Sequence, residues 1–137
     1  MTIIVDSDGL IGLLNKDDTH NSMAMRILEK LTEQEAKLIY PVTVITESST
    51  VLQVRLGKPE MANHITQLLL NGKLIIETVD EELLKQAVKL LKPGGSKHNT
   101  LFDAVVAEVA KKHNADAIFS FDRWYKQLGY KLASDLI

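Results

Sequence analysis

Cysteine is missing from all 137 residues, which removes a disulfide framework, a thiolate metal site and a thiol nucleophile. That suits a reducing cytoplasm. Aromatic residues are scarce at three Phe, three Tyr and one Trp, so no broad stacking platform for exposed bases is visible. Neither sign of charge dominates: the formal net charge is −2, and a polyanionic partner would have to be met by a local basic patch or by bound cations. The first apolar run follows no basic stretch and carries Asp6 and Asp8, so we expect neither a signal peptide nor a membrane span. Several chemistries lack their motifs. There is no G-x-S-x-G for a serine triad, no GxxxxGK[ST] phosphate loop and no G-x-G-x-x-G dinucleotide turn. His20, His64, His98 and His113 are scattered, none paired with another ligand type at i, i+4, which points to surface or loop roles.

What is present reads as one domain over 1–137, with 45% hydrophobic and 25% charged residues in ordinary proportion. Short apolar runs alternate with longer helical stripes. Strands are expected at 2–6, 37–41, 73–79 and 115–122. Helices are expected at 7–16, 19–35, 42–57, 59–72, 80–92 and 100–114, with a helical turn at 123–129. The punctuation agrees, with Pro59 opening one helix and Gly72 closing it. Strands separated by helices of ten or more residues imply an α/β fold with a parallel sheet covered on both sides. In such sheets the ligand sits beyond the carboxyl ends of the strands. Asp6 ends the first strand and Asp122 the last.

Four carboxylates stand out by position. Asp6 and Asp122 each read equally well as a helix N-cap. Asp103 lies three residues after Thr100, the T-x-x-D spacing of a capping box. Glu47 is harder to explain as a cap. Val44, Val51 and Val54 lie at −3, +4 and +7 from it, so the spacing puts it on a buried helical stripe, where a charge needs a Lys or Arg partner or a cation. Three of these carboxylates fall at strand ends or helix starts on one rim of a parallel sheet. Carboxylates gathered there repel, and a hard divalent cation relieves them. Mg²⁺ or Mn²⁺ held this way, with water left on it, suits phosphodiester hydrolysis.

At this point the chain resembles a known family. "IIVDSDGLIGLL", "VITES" and "TLFDAVVAEVAKKHNADAIFSFDRWYKQLG" look like the PIN-domain ribonucleases, most of all the VapC-type toxins of toxin–antitoxin pairs. The family's opening Asp followed by Ser or Thr falls on Asp6 and Ser7, and its mid-chain Glu on Glu47. Its D-A-x-x-A helix start falls on Asp103, Ala104 and Ala107, and its strand-ending S-x-D on Ser120 and Asp122, with Trp124 or Tyr125 in the aromatic place that follows. The resemblance implies a PIN-like three-layer sandwich with four or five parallel strands. It also implies metal-dependent hydrolysis of single-stranded or looped RNA. Asp6 and Asp103 would be the main ligands of Mg²⁺ or Mn²⁺, Glu47 and Asp122 would complete the acidic pocket, and Ser120 would orient a carboxylate or a water. Asp8 is expected to support a ligand or cap a helix. A homodimer and an antitoxin covering the site are implied too, in the cytoplasm and with no membrane.

Other readings stay open. "DSDG" also resembles the haloacid-dehalogenase phosphatases, with Asp6 as nucleophile, but the later lysine and the second acidic motif of that group are not found. A receiver-like signalling domain lacks its middle-strand Asp and late Lys. A catalytically silent PIN-fold binding module would keep the same acids. Lys16, Arg55, Lys58, Lys92, Lys97, His98 and Arg123 are candidates for steering phosphates, and "PGGSKHN" (93–99) for a flexible lip. Met23, Ile27, Leu68 and Leu69 are candidates either for core or for a partner surface.

Overall fold

The β-branched run Thr2–Val5 forms β1, and its Ile3, Ile4 and Val5 are wholly buried because both faces of the strand are covered. A computed structural model describes residues 1–95 and 98–137. Lys97, and with it the middle of the expected lip, lies outside the described residues. After β1 come α1 (Ser7–Leu14), α2 (Asn21–Glu33), β2 (Lys37–Pro41) and α3 (Val42–Thr50). The last of these runs on as a π-helical turn, Val51–Arg55. Then follow α4 (Pro59–Leu70), β3 (Ile75–Glu77), α5 (Glu81–Val88), α6 (Leu101–Lys112), β4 (Ala117–Phe119) and α7 (Trp124–Gln127). A 3₁₀ turn, Ala133–Leu136, closes the chain, and just before it Leu132 bridges in parallel to Ile118.

The described strands form one parallel sheet in the order β3-β2-β1-β4, flanked by helices as the PIN-like sandwich requires. The chain builds outward from β1 to β2 and β3, then returns to place β4 on the other side of β1. Val5 pairs with Phe119 and Ile4 with Ile39, so the first strand in the chain is a central one in the sheet. The reversal of direction falls between β1 and β4, and a crevice opens there at the carboxyl ends of the two strands.

Packing fixes the position of that crevice. Helix α6 packs against β1 and β2 and between α5 and α3, and its Ala104, Val105, Val106, Ala107, Val109 and Ala110 are all buried. Each large apolar side chain sealed this way is worth about 1.5–3 kcal/mol. Glu77, at the end of edge strand β3, accepts Lys112 Nζ at 2.7 Å and pairs with His113 Nε2 at 2.5 Å, tying the sheet edge to the end of α6. His113 is therefore a structural tie rather than a loose surface group. Among the described residues no helix is long and apolar enough to cross a membrane.

Two expectations need correction, and the open alternative for Ile27 is resolved. Helix α3 keeps α geometry only to Thr50, and the π turn changes the spacing beyond it. Val54 consequently points outward, 75% exposed, and shares no sealed stripe with Glu47. Ile27 is fully buried and serves the core, not a partner surface. Lys16 and Lys58 lie away from the crevice. Lys58 binds Asn15 Oδ1 at 2.6 Å and Asp17 Oδ2 at 2.5 Å, and Asn15 caps the far end of α1, about 13 Å along the axis from Asp6.

Candidate active site

Asp6 leaves β1 in extended conformation and caps α1, so its backbone and side chain both face the end of β4. Its N–H donates to Phe119 O at 3.1 Å, continuing the sheet ladder by one residue. Its carboxylate is held from three sides. The Ser7 N–H donates to Oδ1 at 2.7 Å, and the Ser120 and Tyr125 hydroxyls donate to Oδ2 at 2.9 Å each. Only 3% of Asp6 is exposed, which leaves a poor approach for an aspartyl nucleophile. Burial pushes its carboxyl well above the ordinary range, the charges of Asp8 and Asp103 push it further, and the Ser7 and Ser120 donors pull back.

The approach of α1 to β4 that assembles these groups depends on Gly9. A Cβ at that position would stand 2.4 Å from Phe119 O, a contact real side chains do not make. With α1 so close, Asp8 Oδ2 accepts the Phe121 N–H at 2.9 Å, whereas Asp8 Oδ1 is buried with no hydrogen-bond partner. Asp8 thus ties α1 to the end of β4 and joins the acidic group, its carboxyl raised by burial and opposed first by the Phe121 bond. Ser120 is the hinge of the arrangement. Its hydroxyl donates to Asp6 and accepts the Asp122 N–H at 3.1 Å.

The remaining acids come from helix starts and from α3. Asp103 forms the expected capping box, with Oδ2 accepting the Thr100 N–H at 2.8 Å. Its carboxyl is raised by burial and by the charge of Asp122. Asp122 Oδ1 takes the Trp124 N–H at 2.9 Å in an Asx turn, and Oδ2 takes Asn99 Nδ2 at 2.9 Å. Glu47 is half-buried. Desolvation raises its carboxyl, the Ser7 hydroxyl opposes this, Asp103 and Asp8 add to it, and the charge of Arg55 lowers it. The caps do not keep the acids apart: Asp6, Asp103 and Asp122 cap helices or turns, and the charges of Asp103 and Asp122 still reach their acidic neighbours.

A PIN domain family model matches residues 3–129. The chain belongs to the PIN domain family. Among solved structures, the VapC20 toxin of Mycobacterium tuberculosis, described as cleaving the sarcin–ricin loop, superposes with a TM-score of 0.79. The two are 21% identical over 93% of this chain and 95% of that one. VapBC2 of Rickettsia felis, solved bound to a DNA fragment from its promoter, gives a TM-score of 0.68 at 16% identity over 96% of each chain. At such identities the likeness is one of fold. No match was found among curated protein sequences.

Within this PIN fold, the donors present are of the right kind for a hard cation: carboxylate oxygens that raise one another's pKa, one of them orphaned at Asp8 Oδ1. As the side chains stand, no three His, Asp or Glu groups among the described residues converge closely enough to form a metal shell. Asp6, Asp103 and Asp122 are turned toward their hydrogen-bond donors instead. Sequence reasoning missed Asn99 as the clasp on Asp122. It left Tyr125 as one of two choices for an aromatic place, although its hydroxyl holds Asp6. A buried tyrosine needs a partner for its hydroxyl, but only the fold shows which residue that is.

Two clefts flank the cluster. One of about 470 Å³ includes Glu47, Arg55, Val54 and Phe102 in its walls. The other, of about 490 Å³, is walled by Asn99, Thr100, Trp124, Lys92 and neighbouring leucines. Of the basic residues expected near the rim, Arg55 and Lys92 line these clefts and Arg123 is exposed beside Asp122.

Proposed function

We propose that this PIN domain is a Mg²⁺- or Mn²⁺-dependent endoribonuclease that hydrolyses RNA phosphodiester bonds at its acidic cluster, and that it is a toxin restrained by an antitoxin protein. The carrying observation is the gathering of Asp6, Asp8, Glu47 and Asp103 at the carboxyl ends of β1 and β4, where burial first and neighbouring carboxylates second raise all four. Four such desolvated carboxylates are a costly arrangement unless a ligand of opposite charge offsets it.

In this reading Asp6 and Asp103 hold the cation, with Glu47 and Asp122 completing the pocket. The cation, when bound, lowers the pKa of a coordinated water and offsets charge on the phosphate oxygens. Ser120 and Tyr125 fix the Asp6 carboxylate, and Ser120 also sets the Asp122 backbone. Glu47, half-buried and with its carboxyl raised by desolvation, is the proton acceptor of this reading. Arg55 and Lys92, one in each flanking cleft, suit the phosphates on either side of the scissile bond.

The antitoxin is proposed from the fold shared with VapC20 and VapBC2. A homodimer is proposed from the same likeness and from exposed apolar residues on α2 and α4. Met23 and Met25 are 42% and 49% exposed, and Leu69 and Leu70 are 43% and 74% exposed. A cytoplasmic location follows from the same reading.

The test is cleavage of labelled single-stranded and hairpin RNAs with Mg²⁺, Mn²⁺ or EDTA, beside Asp103→Asn. We expect cleavage that requires the cation and disappears in the variant while its circular dichroism stays native. A folded protein that binds Mn²⁺ but cuts none of a broad RNA set would turn the reading toward narrow substrate selectivity. A folded protein that binds no Mn²⁺ would make it a silent binding module.

A further inference from the structure

The cleft beside Asp122 has a composition the acidic cluster does not explain. Its lining joins Trp124, Leu90, Leu91 and Leu128 to the polar residues Thr100 and Gln127, with Lys92 also on it. Trp124 is half-buried rather than sealed, with its neighbour Tyr125 packed beneath it at 5.5 Å between ring centroids. At about 490 Å³ the cleft falls inside the size range of small-ligand sites, roughly 300–1,000 Å³. An aromatic wall, aliphatic sides and a few amide or hydroxyl groups match a flat heterocycle with a polar edge.

The cleft is also wired to the acids. Trp124 N–H and Asn99 Nδ2 hold the two oxygens of Asp122, and Thr100 N–H holds Asp103. A group seated against these residues lies next to the carboxylates without displacing any of them.

We propose that this cleft is a nucleobase subsite, in which Trp124 stacks one unpaired base of an RNA strand whose neighbouring phosphate lies over the acidic cluster. The inference rests on the ribonuclease reading above. Thr100 and Gln127 face the edge of the base and Lys92 its flanking phosphate. Because a stacked, splayed-out base is available only in single strands and loops, the subsite selects such RNA over duplex.

Trp124 is the only tryptophan of the chain, so its emission reports on the cleft directly. The experiment titrates the full-length protein with single-stranded RNA hexamers in Ca²⁺, following Trp124 fluorescence, and repeats it with hexamers carrying one abasic site at each position in turn. We expect quenching by the intact hexamers. We also expect one abasic position to abolish the quench and weaken binding by on the order of tenfold. In Mg²⁺ that position should raise KM more than it lowers kcat. Trp124→Phe should keep most of the affinity and the position dependence, and Gln127→Ala should blunt discrimination between bases. RNA that is bound and cut while Trp124 emission stays constant, with all abasic positions equivalent, would overturn the subsite and leave the ribonuclease reading intact. A folded protein that binds neither Mn²⁺ nor any RNA would overturn both.

Discussion

Two glycines of α1 should respond to alanine in opposite ways. At Gly9 a Cβ would lie 2.4 Å from Phe119 O and 3.0 Å from Phe119 Cδ2. Reaching even 3.0 Å from the oxygen requires a shift of about 0.6 Å (3.0 minus 2.4), and ordinary contact at 3.4 Å requires about 1 Å. The obstacle is a backbone carbonyl that already accepts the Asp6 N–H, so it cannot swing aside like the end of a flexible side chain. Helix α1 must therefore lift off β4. That stretches the Ser120–Asp6 and Phe121–Asp8 bonds together, and overpacking of this kind costs about 1–3 kcal/mol. A displacement near 1 Å in catalytic groups is worth up to about a hundredfold in rate. At Gly12 the nearest atom, Ala24 Cβ, would be 3.4 Å away, an ordinary contact. Alanine there should be neutral or stabilising by up to about 1 kcal/mol, from helix propensity alone. Urea denaturation and RNA cleavage of both variants measure this. If Gly9→Ala matched the wild type in both assays, the close approach would not be what assembles the site.

Tyr125→Phe removes one of three donors to Asp6, a bond to a charged group worth about 1.5–3 kcal/mol, so Mn²⁺ affinity at neutral pH should fall roughly ten- to a hundredfold by calorimetry. The acidic limb of its pH–rate profile should move upward, because the lost bond favoured the ionised form; an unmoved limb with unchanged affinity would contradict the role. In EDTA the native carboxyls of Asp6, Asp8, Glu47 and Asp103 bind protons at higher pH than their unfolded counterparts. The cation-free protein should therefore lose stability as pH rises from the unfolded carboxyl values, about 4, through the raised folded ones, and saturating Mn²⁺ should flatten that slope in urea melts. Asp103→Asn should stabilise the cation-free protein and shrink the gain from Mn²⁺, measured as melting temperatures with and without the ion. Glu77 has the opposite sign: Lys112, then His113, hold its carboxyl below the ordinary value. Its stabilising contribution is present above the unfolded value and fades as pH falls through the lowered one, so Glu77→Gln should flatten the acid limb of the stability curve.

The sequence by itself determined the sheet and the addresses of the acids. Alternation of short β-branched runs with helical stripes leaves few alternatives to a parallel sheet, and the carboxyl-end rule then marks Asp6 and Asp122, with Ser120 added by the family resemblance. Their local roles were legible as well, since Asp6 caps α1 and Asp103 closes its box with Thr100 over a few residues of chain. Helical periodicity failed at Glu47. A π turn at Val51–Arg55 changes the spacing and turns Val54 to solvent, and a 3.6-residue rule has no means of foreseeing it. Only the tertiary structure decided which donors meet which acids. Asp6 is bound by Ser120 and Tyr125, 114 and 119 residues away, and Asp122 by Asn99, 23 residues away. Those contacts are set by strand order and by the approach that Gly9 permits. Neither is written in the spacing of any one segment, because both are settled by how separate segments pack.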